Sequence, residues 1–229
     1  MSEFKWSQCL ICGRWPMATV CEMCRRSHTR LLHRCPDCAL SLPPGQMHRC
    51  ERMGTAGPVW TSATARVDYV APFDEWVKRL KFAGDWTVAQ TMGRLMRECP
   101  IAQARLNQAD WILPLPVSKQ RLFDRGYNQS ALLARHWCRN DERLRVDWLI
   151  KSRHTAAQAQ TDRALRWSQL RASMSLRPSI LGAIRGANVL LVDDVMTTGA
   201  TLQTASECVW QAGASRVDVA VFARTTPLH

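Results

Sequence analysis

No stretch of this 229-residue chain is apolar for long enough to cross a bilayer, which takes about 20 consecutive apolar residues. The opening Met1-Ser2-Glu3-Phe4-Lys5-Trp6 lacks the apolar centre of a secretory signal. A soluble, cytoplasmic protein without membrane insertion is therefore expected. Low-complexity tracts are missing, and nothing repeats beyond short pairs of cysteines. At 46% hydrophobic residues, the chain reads as one main domain plus a small appendage. Two phosphate-binding fingerprints are absent as well. Neither a Gly-x-x-x-x-Gly-Lys-Ser/Thr loop nor a Gly-x-Gly-x-x-Gly turn occurs, which excludes the nucleotide sites built on them. Acids are scarce: 19 Asp and Glu face 31 Lys and Arg, for a formal charge of +12. That excess favours polyanionic partners, either nucleic acid or a pyrophosphate-bearing substrate. Because the basic residues recur along the whole chain, a solvated basic surface stays open as the plainer reading.

Cysteine is plentiful, and seven of the ten fall in the first fifty residues. Cys9-Leu-Ile-Cys12, Cys21-Glu-Met-Cys24 and Cys35-Pro-Asp-Cys38 form three Cys-x-x-Cys knuckles, followed by a single Cys50. Two knuckles supply four thiolates, enough for a closed tetrahedral zinc site, and zinc suits a segment with too little apolar area to fold unaided. No βαβ pattern surrounds the pairs, which argues against a thioredoxin-like redox role. Sequential pairing gives a first zinc to Cys9, Cys12, Cys21 and Cys24. Cys35, Cys38 and Cys50 remain for a second, with Met53 where an eighth cysteine is expected. Thioether is a poor zinc ligand, so His48 or His33 completes this second site or it is degenerate. A crossed pairing of the first knuckle with the third stays open on spacing alone. Either way the metal is structural, since four thiolates leave no position for chemistry.

Residues 189–201 read Val-Leu-Leu-Val-Asp-Asp-Val-Met-Thr-Thr-Gly-Ala-Thr. Val189–Val192 is the pattern of a strand buried on both faces, ending in Asp193 and Asp194. A hydroxyl-rich turn follows, Thr197-Thr198-Gly199-Ala200-Thr201, then Leu202, Ala205, Val209 and Ala212 at helical spacing, with Gly213 as C-cap. The helix N-terminus offers free N–H groups and partial positive charge, and Gly199 lets the backbone approach a phosphate. The two acids can accept hydrogen bonds from paired sugar hydroxyls. This arrangement suits a ribose 5-phosphate.

Elsewhere the periodicity alternates. Phe73, Trp76, Val77 and Leu80 predict a helix over 73–83 ending at Gly84, and Val88, Met92, Leu95 and Met96 predict a second. Trp111–Leu113 reads as a strand stopped by Pro114 and Pro116. Asn128 is a candidate cap for a helix carrying Ala131, Leu132 and Trp137, and Val217–Ala223 is another buried strand. Gly54, Gly57 and Pro58 mark a linker between a head at 1–53 and a domain at 62–229. Strands alternating with helices imply a mostly parallel sheet covered on both faces. Of the ten tryptophans, any exposed one could stack an unpaired base, but Trp76 and Trp137 fall on apolar helix faces and most are expected in the core.

The 189–201 segment resembles the thirteen-residue phosphoribosyl-pyrophosphate (PRPP) signature of type I phosphoribosyltransferases. Together with Tyr69-Val-Ala-Pro72, Leu80-Lys-Phe82, the stretch from Leu113 to Gln129 and the cysteine head, it resembles the ComF family, which includes the GntX-type proteins. Arg125-Gly-Tyr-Asn-Gln129 is close to that family's Arg-Gly-Phe-Asn-Gln. The resemblance implies an α/β fold of the type I phosphoribosyltransferase kind, Rossmann-like, with a mostly parallel sheet flanked by helices, behind a small double-zinc-ribbon-like head. It implies ribose binding by Asp193 and Asp194, 5-phosphate binding by Thr197, Thr198, Gly199, Ala200 and Thr201, and magnesium bound with PRPP. The loop after the strand at 111 is then expected to grip pyrophosphate through Ser118, Lys119, Arg121 and Arg125. Arg153-His-Thr-Ala-Ala-Gln158, continuing to Arg163 and Arg166, resembles the family's Arg-x-x-Thr-x-x-Gln stretch and reads either as a flap or as a basic exposed helix. His154 within it is given no catalytic role.

Two functions follow from the resemblance. The first is a PRPP-binding protein that handles or imports single-stranded DNA during natural transformation, with competence DNA-import proteins as partners. The alternative is an active phosphoribosyltransferase of nucleotide metabolism or salvage. No segment identifies its acceptor.

Overall fold

The computed structural model describes residues 7–15, 18–46, 50, 59–139, 141–151 and 174–226. His48, Met53, the 54–58 linker and the stretch from Arg153 to Arg166 lie outside the described residues. A four-stranded parallel sheet forms the centre, built from β1 (Ser62–Asp68), β2 (Trp111–Pro114), β5 (Asn188–Met196) and β6 (Arg216–Arg224) in the order β1-β6-β5-β2. A separate antiparallel pair is made by β3 (Leu149–Lys151) and β4 (Met174–Leu176).

The two central strands are apolar on both faces, as the run of Val and Leu predicts. Leu190 and Val192 of β5, with Ala220 and Phe222 of β6, enter one core; Val189 and Leu191, with Val217, Val219 and Val221, enter the other. The first core is covered by α2 (Phe73–Lys78), α3 (Trp86–Arg97), α4 (Pro100–Gln108) and α6 (Gln129–Cys138). The second is covered by α7 (Leu181–Ile184) and α8 (Ala200–Gln211) together with the β3–β4 pair. Trp76 stacks on Phe222 at 6.4 Å and meets Phe73 edge-on at 5.2 Å, anchoring α2 to the sheet.

Local signals set the helix ends. The 73–83 helix does end at Gly84, which has φ 60°, but its last turn, Arg79–Ala83, is a π turn. Asp85 then caps α3 by accepting from the Val88 N–H at 3.0 Å. Asn128 caps α6 as expected, accepting from Ser130 and Ala131. Trp76 and Trp137 are buried, as is Trp60; Trp111, Trp148 and Trp210 are half-buried, while Trp15 and Trp86 stand exposed, so fewer than half of the tryptophans among the described residues are buried. Among the described residues, no helix is long and apolar enough to cross a membrane.

The cysteine head, with α1 (Glu22–His28), shares the first core: Cys9, Val20, Cys21 and Cys24 pack with the residues of α2, α3 and α6. Buried cations fasten it. Arg66 of β1 donates to the carbonyls of Thr29 at 2.7 Å and Leu95 at 2.9 Å, and Arg34 pairs with Asp68 at 2.8 Å. The third knuckle lies against β1, where the Ala63 N–H donates to the Pro36 carbonyl at 2.6 Å, and so covers part of an otherwise open sheet edge.

Helices α3 and α6 cross at Gly93, where an added Cβ would lie 2.7 Å from His136. Gly93→Ala is expected to destabilise the fold by about 1–3 kcal/mol, because neither backbone can give way. Gly182→Ala, in a helix with open space around it, should be neutral or slightly stabilising. Urea denaturation midpoints check both; equal midpoints for the two variants would show that the crossing is loose.

Candidate functional site

Strand β5 runs further than its apolar residues suggest. It continues through both acids to Met196, because β6 extends alongside and pairs Asp193 with Val221, Val195 with Ala223 and Met196 with Arg224. The acids thus sit within the end of a strand, not beyond it. Asp194 is 1% exposed, and the Lys81 ammonium from the π turn lies 3.1 Å from its Oδ2. Asp193 is half-buried; its Oδ1 accepts from the Ser130 hydroxyl at 2.6 Å and from the Asp194 N–H at 2.9 Å. Burial, together with the adjacent Asp194, pushes the Asp193 carboxyl up to about 8, with Ser130 opposing.

After Met196 the chain turns through Thr197, Thr198 and Gly199 into α8. Gly199 takes φ 82° as the N-cap residue and has no side chain with which to cap the first N–H groups of α8. The Thr198 hydroxyl reaches the Ala200 N–H at 3.4 Å, while Thr197, Thr198 and Thr201 are exposed. Strand, acids and N-terminus therefore converge in the order the sequence suggested.

The expected basic loop is a short helix, α5 (Lys119–Arg125). Ser118 caps it, accepting from the Arg121 N–H at 3.2 Å, and Gly126 ends it at φ 76°. Lys119 and Arg121 are exposed, while Arg125 donates to Gln129 at 3.1 Å and lies over the Phe82 ring at 5.2 Å. The chain enters α5 from β2, which pairs with β5 and so starts the helix near the strand end that carries the acids. Three further residues of the site escaped the sequence reading. Lys81 was visible only inside Leu80-Lys-Phe82, and Ser130 only as a neighbour of the capping Asn128. Lys151, at the end of β3, had no local signal. Its pKa is lowered by burial and by the like charge of Arg121, with Asp193 opposing.

In the head, the Sγ atoms of Cys9, Cys12, Cys21 and Cys24 all lie within 4.8 Å of one another, and those of Cys35, Cys38 and Cys50 do the same. Pairing is therefore sequential, not crossed. A tetrahedral zinc with bonds of about 2.3 Å needs thiolates about 3.8 Å apart. Cys12 and Cys21 are 3.9 Å apart and Cys35 and Cys50 3.4 Å, so both groups can hold a metal. Against its own burial, the backbone at Cys12, Cys21 and Ile11 holds Cys9 down to about 6, whereas burial and the neighbouring thiols push Cys24 up to about 12. A dication resolves that crowding of thiols. His33 does not join the second group; the Asp37 carboxylate lies 3.9 Å from Cys50 instead.

The comparisons with known proteins agree with this geometry. The phosphoribosyl transferase domain family matches residues 135–226, which takes in β5, the turn, α8 and β6. The "DNA utilization protein YhgH" of Salmonella typhimurium is 30% identical, covering 95% of this chain and 96% of its own. "Competence protein F" of Haemophilus influenzae is 28% identical over 83% of this chain and 84% of its own. "Competence protein ComFC" of Bacillus subtilis is 26% identical over 86% and 80%. Fold and site thus define a protein of the type I phosphoribosyltransferase fold with an N-terminal cysteine cluster able to bind metal. Within that class, the chain belongs to the ComF family.

Two outcomes are expected. Cys9→Ser with Cys12→Ser and Cys21→Ser with Cys24→Ser should each remove the same single metal equivalent, and combining them should remove no more; elemental analysis showing two separate losses would refute sequential pairing. Asp193 keeps its proton in the folded state up to about pH 8, whereas in the unfolded chain it releases it near the ordinary carboxylate value of about 3.9. Its contribution to stability therefore falls as pH rises across that window. Asp193→Asn should flatten the decline and raise the denaturation midpoint of the ligand-free protein at pH 8.

Proposed function

We propose that the chain binds PRPP at the β5–α8 site and acts, as a ComF-type protein, in the handling or import of single-stranded DNA during natural transformation. The observation that carries the reading is the junction itself: two acids at a strand end, then a left-handed glycine and a bare helix N-terminus. A 5-phosphate on residues 197–201 would receive the free N–H groups of α8 and the hydroxyls of Thr197, Thr198 and Thr201. Asp193 and Asp194 would accept from the ribose hydroxyls. Ser118, Lys119, Arg121 and Arg125 would face the pyrophosphate, with Lys151 adding a cation sequence inspection did not suggest. Asp194 is already matched by Lys81, so a magnesium ion arriving with PRPP would draw mainly on oxygens of the ligand, as hard cations do.

Zinc in the two cysteine groups would be structural. It would hold a head spanning 1–53 against the domain at 62–229. The names of the relatives, DNA utilization and competence proteins, support the DNA role, and the charge of +12 suits a polyanionic partner.

A second reading has one observation in its favour. The acids and the phosphate turn are both intact, so displacement at the anomeric carbon, with positioning and charge stabilisation as the main contributions, is chemically open. PRPP titration with and without single-stranded DNA, followed by a pyrophosphate-release assay against a panel of acceptors, separates the two. Release marks an enzyme; DNA binding without release marks a binding factor.

Asp193→Asn with Asp194→Asn is expected to abolish PRPP binding while leaving metal content unchanged. Unaltered PRPP affinity by calorimetry would overturn the assignment.

A further inference from the structure

Three large aromatic side chains stand out into solvent on neighbouring elements: Phe82 at 77% exposure, Trp86 at 64% and Phe123 at 87%. Phe82 lies in the π turn, Trp86 opens α3, and Phe123 lies on α5. These elements approach one another closely. Arg125 of α5 lies over Phe82, and Gly84, between Phe82 and Trp86, presses against the Tyr127 ring that follows α5. Trp86, Leu122 and Tyr127 line a cavity of about 550 Å³ that also receives Lys119, Arg135 and Lys151. Trp86 meets His136 edge-on at 6.1 Å and Phe82 carries Arg125, yet all three rings keep most of their surface in solvent.

The charge around them is one-sided. Lys119, Arg121, Arg125, Arg135 and Lys151 surround the face. Of the nearby acids, Asp85 is paired with Arg79 and Asp147 with Arg177, while Asp124 and Asp193 accept from the neutral Gln120 and Ser130, so cations still outnumber unpaired acids. Exposed rings interleaved with cations form a surface on which unpaired bases stack while cations follow the backbone. A duplex hides its base faces and cannot use the rings in this way.

We propose that Phe82, Trp86 and Phe123 form a stacking platform for single-stranded nucleic acid, with Lys119, Arg121, Arg125 and Arg135 beneath its phosphates. The assignment rests on the DNA role argued under Proposed function and gives that role a location beside the PRPP site. Strands bind with little sequence preference, because every base offers a ring face, and the binding weakens with salt.

The test uses the full chain and a fluorescently labelled oligothymidylate in anisotropy titrations. Phe82→Ala, Trp86→Ala and Phe123→Ala are each expected to weaken binding roughly fivefold or more, and the triple variant further. Phe82→Tyr, Trp86→Phe and Phe123→Tyr should restore most of the affinity. The salt dependence should keep its slope, because the cations are untouched. PRPP affinity and metal content should not change, which reports that the variants fold. If the natural protein binds the oligonucleotide and the triple variant binds it equally well, the platform is refuted while the DNA role stands. If the natural protein does not bind at low salt, the DNA role fails and the platform with it. Light scattering that finds a dimer of the natural chain turned monomeric by the triple substitution would assign the face to a second copy and overturn the proposal.

Discussion

Arg224, the last residue of β6, ties the molecule together. Its buried guanidinium donates to the Cys38 carbonyl at 2.8 Å in the third knuckle, to Met196 at 3.0 Å at the end of β5, to Thr197 in the phosphate turn and to Thr225 at 2.9 Å. A charge buried this deeply is tolerated only when its donors are taken up. Burial lowers its pKa, and the nearby sulfurs of Cys38 and Cys50 work in the opposite direction. One side chain thereby requires the cysteine head, the central strand and the turn after it to be in place together. Arg66 and Arg34 also tie the head to the domain at β1, through the Thr29 and Leu95 carbonyls and through Asp68, although each leaves one buried guanidinium nitrogen without a partner. The head is consequently part of the scaffold around that turn, and three of its cysteines, Cys9, Cys21 and Cys24, are packed in the domain's own core.

The parallel sheet decides where chemistry can occur. In such sheets ligands collect beyond the carboxyl ends of the strands. Here β5 delivers the acids and the turn, and its neighbour β2 delivers α5, so residues far apart in the chain meet at one end. Extension of β5 through Asp193 and Asp194 fixes the acids on a rigid strand, which suits groups that must present oxygens in a set direction. The cost is a half-buried carboxyl, Asp193, whose pKa burial and the adjacent Asp194 push up to about 8.

The same end of the sheet carries two kinds of surface. Cations on α5, β3 and α6 suit phosphate oxygens, whether of a pyrophosphate or of a nucleic-acid backbone. The exposed rings of Phe82, Trp86 and Phe123 suit bases. Their closeness through the Arg125–Phe82 contact sets the proposed sugar-phosphate site and the proposed stacking face side by side.

By itself, the sequence determined the periodic and the local. The apolar runs at 189–192 and 217–223, the caps at Asn128 and Gly213, the helix stop at Gly84 and the three knuckles each depend on residues a few positions apart, and each is found. So were the acids and the turn, because the whole junction lies in thirteen consecutive residues. The tertiary structure alone decided what depends on distant partners. Pairing with β6 carried β5 past its apolar residues, a cap at Ser118 turned an expected loop into α5, and proximity chose sequential over crossed pairing of the cysteines. Lys81, Ser130 and Lys151 reached the acids from three separate elements. Their roles are set by which strands lie side by side and by what burial does to a charge, and neither is written in the spacing of neighbouring residues.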